Sequence, residues 1–224
     1  MKTTRLLSGE SRMNILNLYA GLGGNRKLWG NEHDITSVEY TQGIADIYAA
    51  QYPNDTLVVG DAHSYLLENF HKFDFIWSSP PCQSHSRLIR SGKNRKSRYP
   101  DLRLYEEILL LQHNFKGKWL VENVIPYYTP LVAATATIGR HMLWSSAPAS
   151  ALEGIEDIKS PPDFINMTTV AGMRKLQEWL GIYYEKPVYY EGNHCPAQIL
   201  RNCVHPEIGK KVFDSTIQIE EHTP

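Results

Sequence analysis

The pattern of apolar runs along the chain predicts an α/β fold built on a mostly parallel, doubly wound sheet. Three observations carry that expectation. Short runs of β-branched and aromatic residues alternate with stretches whose apolar positions recur at helical spacing. A glycine-rich turn, residues 20–24, follows the first run. The fourth run, residues 73–77, is soon met by Pro80 and Pro81, neither of which can donate to a ladder. The order βαβαβαβ then implies parallel strands joined by crossovers.

Residues 14–19 read as the first strand, and a short helical segment is expected after the glycine turn, through Leu28 and Trp29. Residues 35–38 form the second strand, ending in Glu39 and Tyr40. Residues 41–52 carry Ile44, Ile47, Tyr48 and Tyr52 at helical spacing, and Pro53 stops that helix. Residues 56–59 make a third strand before Gly60 and Asp61, and residues 62–70 a second helix. Asp101 can cap the next helix, whose stripe includes Leu102, Tyr105, Ile108 and Leu109. Residues 118–124 are a fifth strand whose apolar run admits Glu122 and Asn123; a carboxylate there should carry an elevated pKa or a specific partner. Residues 139–144 predict a further strand with one buried arginine, Arg140. Residues 145–166 are loose in composition, and residues 168–180 form a helix with Met173, Leu176, Trp179 and Leu180 on one face. Residues 183–190 stay open between strand and loop, residues 206–213 predict a last helix, and the acidic tail to Pro224 is expected to be mobile.

With 224 residues, 42% hydrophobic and 21% charged, the composition is that of a soluble globular protein with one substantial core. No run approaches a membrane span, and the polar start lacks a signal-peptide core. Three irregularly spaced cysteines argue for a reducing compartment rather than a disulfide framework. A formal charge of −1 does not announce a nucleic-acid partner, but Arg87, Arg90, Lys93, Arg95, Lys96, Arg98 and Arg103 crowd one stretch against the single acid Asp101. Such a run is usually a solvated face. Here it adjoins Cys82, and a cationic loop beside a thiol suits a polyanionic substrate.

On this topology residues 21–24, Glu39, Tyr40, Asp61 and residues 79–83 all fall at the strands' C-terminal edge, where open α/β sheets bind ligands. Each signal alone has a bland counterpart. A free cysteine is commonly a small buried hydrophobe, and any tight turn can use glycine. Cys82, delivered on a loop between Pro81 and the polar Gln83, looks instead like a nucleophile.

Taken together these stretches resemble the cytosine-C5 DNA methyltransferases, and they occur in that family's order. Residues 17–24 are similar to its first motif, Pro80-Pro81-Cys82-Gln83 to its nucleophile motif, and Glu122-Asn123-Val124 to its Glu-Asn-Val. The resemblance implies a Rossmann-like methyltransferase fold with S-adenosylmethionine held by Tyr19, Gly21, Leu22, Gly23, Gly24, Glu39, Tyr40, Asp61, Ala62 and Pro80. Asn202, Cys203 and Val204, in a segment resembling the last motif, would return to the same cofactor. Cys82, Glu122 and Arg140 are the implied catalytic residues. Pro81, Gln83, Ser84, Ser86, Arg87, Arg90, Lys93, Arg95, Lys96, Arg98 and Asn123 are the implied substrate-binding ones. The resemblance implies cytosine-containing DNA, duplex or single-stranded, as partner, with no membrane and no obligatory protein partner expected, in the cytoplasm of a prokaryote or phage-infected host.

The chain departs from the family in three places. Met142 stands where a second arginine is expected, and Arg201 replaces the usual glycine of the last motif. Only about twenty residues, 145–166, lie where the family inserts its target-recognition domain, too few for an independent unit. The expected division is therefore a catalytic core over residues 1–144, a short insert over 145–166 and a returning part over 167–224. Compact members of this kind resemble those of phages, and short sequence specificity follows.

Other readings remain in view. Amino-directed methyltransferases share Ser79-Pro80-Pro81 but place an aromatic where Cys82 stands. One branch of the same family methylates tRNA, and a nucleic-acid-binding relative without catalysis would also carry these motifs. A zinc site at His194, Cys195, Cys203 and His205 is disfavoured, since adjacent residues rarely ligate one tetrahedral ion together. No metal is expected.

Overall fold

The computed structural model describes residues 12–87, 99–190 and 194–218. Arg90, Lys93, Arg95, Lys96, Arg98 and the end of the acidic tail lie outside the described residues.

Seven strands form one sheet: β1 (Asn14–Leu18), β2 (Asp34–Glu39), β3 (Thr56–Val59), β4 (Phe75–Ser78), β5 (Lys118–Val124), β6 (Ala136–Ile138) and β7 (His141–Ser145). Their spatial order is β3-β2-β1-β4-β5-β7-β6. The first five are parallel, while β7 runs antiparallel to β5 and β6 to β7. The chain moves outward from β1 to β3, then returns to lay β4 on the other side of β1. Between β1 and β4 the strand order therefore reverses, which opens a crevice at their carboxyl ends.

Alternation along the strands builds a core on each face. Ile15, Phe75, Trp77, Leu120 and Leu143 point one way, against Trp29 and against Val212 and Phe213 of α7 (Pro206–Ile217). Trp29 stacks on Phe213 at 4.7 Å. Leu16, Leu18, Ile76, Val121 and Trp144 point the other way, against Leu66 of α2 (Ala62–Asn69) and Leu104, Ile108 and Leu111 of α3 (Arg103–Asn114). A third cluster joins Leu22 and Ile44 of α1 (Gln42–Gln51) to Met173, Leu176 and Leu180 of α5 (Val170–Leu180) and to Ile199 and Leu200 of α6 (Gln198–Arg201). Thr169 caps α5 by accepting from the Gly172 N–H, and Gly181 closes it at φ +63°.

One sequence expectation is corrected, and one strand is added. Residues 20–29 form successive turns and no helix, because Gly21 and Gly23 take φ +54° and +74°, a conformation that ends helical propagation. The strand expected at 139–144 is β7, and Gly139, at φ +55°, turns the unpredicted β6 into it. Residues 183–190 form neither strand nor helix. The insert 145–166 packs on the body rather than apart from it, with Leu152 of α4 (Ala149–Leu152) in the core and Phe164 against Trp179. Among the described residues no helix is long and apolar enough to cross a membrane.

Candidate active site

The crevice is a cavity of about 490 Å³, within the usual range for small-molecule sites. Its walls come from the turn after β1, the ends of β2 and β3, the loop after β4, the end of β5, the β6–β7 hairpin and the segment after α6.

One end is built around Glu39, buried at the tip of β2. Its carboxylate accepts the Gly21 N–H at 3.0 Å and the Thr41 N–H at 2.8 Å, one on each oxygen. A carboxylate so pinned still has lone pairs for hydroxyl donors in the cavity. Tyr19, Leu22, Gly24, Tyr40, Asp61, Ala62, Pro80, Asn202, Cys203 and Val204 line the same space. Tyr19 is a non-glycine residue at φ +56°, its hydroxyl donating to buried Glu107 at 2.6 Å. Asp61 caps α2 through the Ser64 N–H, which holds its carboxyl below the ordinary range. Gly23 is not among the lining residues; it faces the rings of Tyr48 and Tyr52. Arg201, at the glycine position of the last motif, needs no left-handed backbone there.

Cys82, Glu122 and Arg140 line the same cavity, near enough for the charges of Glu122 and Arg140 to act on the thiol. Cys82 begins a single 3-10 turn, Cys82–Ser84, directly after the two prolines. Burial first, then the Glu122 carboxylate, push its thiol up to about 11, against the opposing charge of Arg140. Glu122 has a specific partner: the imidazole Nδ1 of His141 lies 2.5 Å from its Oε1. Burial would raise this carboxyl, but the hydrogen bond with His141, with help from Ser79 and Arg140, holds it below its ordinary value. Arg140 is exposed at the hairpin tip, not buried in a strand. Its Nη2 donates to the Arg201 carbonyl at 2.7 Å, and its guanidinium lies over the Phe164 ring at 5.0 Å.

The remaining substrate residues divide. Pro81, Gln83 and Asn123 line the cavity, although Asn123 spends its amide on the Pro80 carbonyl at 2.9 Å. Ser84 and Arg87 brace the root of the loop instead, Ser84 accepting the Asp101 N–H and Arg87 donating to the Pro126 carbonyl. Ser86 pairs with Pro126 in an isolated bridge. Arg103, noted only as part of the basic stretch, lines the cavity too, and sequence reasoning missed His141, His85 and Tyr190, which also line it. Only His141 had a signal, its place beside Arg140. Among the described residues no group of three or more His, Cys, Asp or Glu is placed to hold a metal ion.

Residues 13–127 match the model of the C-5 cytosine-specific DNA methylase family. A human tRNA (cytosine(38)-C(5))-methyltransferase is 27% identical over 118 residues, 50% of this chain. The chain spans only 30% of that relative's length. Among solved structures, DNMT2 of Spodoptera frugiperda aligns at a TM-score of 0.35 and 25% identity, over 50% of this chain and 35% of that one. A SAM-dependent methyltransferase from Agrobacterium tumefaciens aligns at 0.37 and 11% identity, over 57% of this chain and 42% of that one. The family match takes in more than half of the chain and includes Glu39, Cys82 and Glu122, so the protein belongs to the C-5 cytosine-specific DNA methylase family.

Proposed function

We propose that this protein transfers a methyl group from S-adenosylmethionine to C5 of a cytosine in DNA, through a covalent bond between Cys82 and C6 of the ring. One observation carries the reading: a thiol, a carboxylate and a guanidinium that act on one another line the same cavity as the Glu39 cradle. S-adenosylmethionine, the methyl donor of the family, suits that cradle. Glu39 offers acceptors to its ribose hydroxyls, and Tyr40, 72% exposed, offers a ring face to its adenine. The cofactor supplies an electrophilic sulfonium methyl.

The chain's own residues make the base reactive. C5 of cytosine is a poor nucleophile until a thiolate adds at C6 and renders it enamine-like. Cys82 passes its proton to the Glu122 carboxylate and forms that bond. Glu122, now protonated, delivers the proton to N3 as charge builds there, while Arg140 holds the O2 carbonyl. Loss of the C5 proton to water, with return of the N3 proton through Glu122, then expels Cys82 as the thiol and restores the ring. A stacked cytosine cannot reach such a cavity, so the base is extruded, at a cost of a few kcal/mol.

RNA is the second reading, favoured by the likeness to a tRNA methyltransferase. Purified protein given labelled S-adenosylmethionine with DNA or with tRNA, followed by nucleoside mass analysis, decides between them. The account expects 5-methylcytosine from DNA. Product from tRNA alone selects the second reading, and N4-methylcytosine from either contradicts both.

A further inference from the structure

We propose that His141 is the positioning residue for Glu122, taking the place of the missing second arginine; this rests on the methyl-transfer reading above. The register of β5 and β7 explains why a neighbouring residue takes the role. Glu122 lies opposite Leu143, so His141, two residues along β7, shares its face of the sheet as a diagonal neighbour. Met142 lies opposite Asn123, points to the other face and packs in the cluster with Val121 and Trp144. The residue at the expected arginine position therefore faces away from the carboxylate, and the one before it faces toward it.

The hydrogen bonds then fix the tautomer. Arg140 Nε–H donates to His141 Nε2 at 3.1 Å. A guanidinium only donates, so Nε2 carries no hydrogen and Nδ1 does. Nδ1–H accordingly donates to Glu122 Oε1 at 2.5 Å. Arg140 is itself anchored to the Arg201 carbonyl. A chain of donors thus runs from Arg140 through one imidazole to Glu122 and links both groups assigned to the pyrimidine. His141 is 8% exposed, so water does not replace it readily. Its role is to hold the carboxylate in one rotation, turned to N3, as a base-orienting partner does in other acid–base sites.

Three substitutions separate this role from packing. His141→Phe keeps the ring's bulk and removes the donor; His141→Asn returns an amide N–H near the Nδ1 position; His141→Gln places its amide near Nε2 instead. We expect His141→Phe to lower kcat about 100-fold, the scale of a misplaced acid–base group, with S-adenosylhomocysteine affinity by calorimetry unchanged. His141→Asn should recover most of that loss and His141→Gln little. In a Glu122→Gln background His141→Phe should add almost nothing, because both changes disable one unit. A Phe variant as fast as wild type, or Asn and Gln variants of equal activity, overturns the proposal. If His141→Phe fails to bind S-adenosylhomocysteine, the contrast between Asn and Gln decides alone. Wild-type protein that methylates neither DNA nor tRNA contradicts the functional reading on which the proposal stands, whereas a fast Phe variant contradicts the proposal only.

Discussion

Cys82 holds its proton in the free protein, because half-burial beside an ionised carboxylate is a poor place for a second negative charge. The thiolate is therefore scarce at neutral pH. Alkylation of Cys82 by iodoacetamide, followed by peptide mass spectrometry, should accelerate about tenfold per pH unit from pH 7 and level off only near 11. A rate already flat at pH 8 contradicts this placement of the thiol. Gly24 makes a different demand. A Cβ there would lie 2.5 Å from the Val204 carbonyl oxygen and 3.0 Å from the Cys203 Cβ. Because the first obstacle is backbone, Gly24→Ala should cost about 1–3 kcal/mol by overpacking. It should also displace the segment that completes the cofactor end, so thermal unfolding and S-adenosylhomocysteine affinity should fall together. Unchanged melting would show that this turn can move aside.

Helix α3 is held to the sheet by a buried carboxylate. Glu107 accepts from Tyr19 at 2.6 Å and from Ser78 at 2.5 Å, and pairs with His63 Nδ1 at 2.9 Å. The hydrogen bond to Glu107 is the largest influence on His63; it outweighs burial and raises the imidazole pKa. Its folded value thus exceeds the unfolded value of about 6.5. The stabilisation is complete below that value and is lost as pH rises through the raised one. His63→Ala should cost about 1–3 kcal/mol near pH 6 and less near pH 9; urea melts giving equal losses at both would contradict the pairing. The elements were legible where pattern alone decides them. Strands β3 and β5 and helix α1 lie where alternation, helical spacing and Pro53 put them. The glycine turn misled because Leu28 and Trp29 mimic a helical stripe, although Trp29 is packed on Phe213 from a turn. The hairpin hid because β6 spans only three residues, Ala136–Ile138, too few to show a pattern. Arg140 was thereby misplaced, and His141 was passed over, since only the β5–β7 register reveals what it faces.

Across the whole molecule, the cavity owes its position to strand order, and its chemistry to loops that meet only at that crevice. The insert 145–166 lends Leu152 and Phe164 to the body's packing. It has too little chain left to build a separate reader of sequence. Bisulfite sequencing of DNA methylated by this protein should therefore reveal a context of about two bases, and a site of four or more fixed base pairs contradicts that expectation. The central claim concerns a bond to sulfur. DNA carrying 5-fluorocytosine lacks the C5 proton that must leave, so with S-adenosylmethionine present it should stop the reaction at the adduct. Tryptic mass spectrometry of wild-type protein should find the methylated fluorinated base attached to Cys82, and Cys82→Ser should give neither adduct nor 5-methylcytosine. An adduct on another residue, or turnover retained without the thiol, contradicts the account.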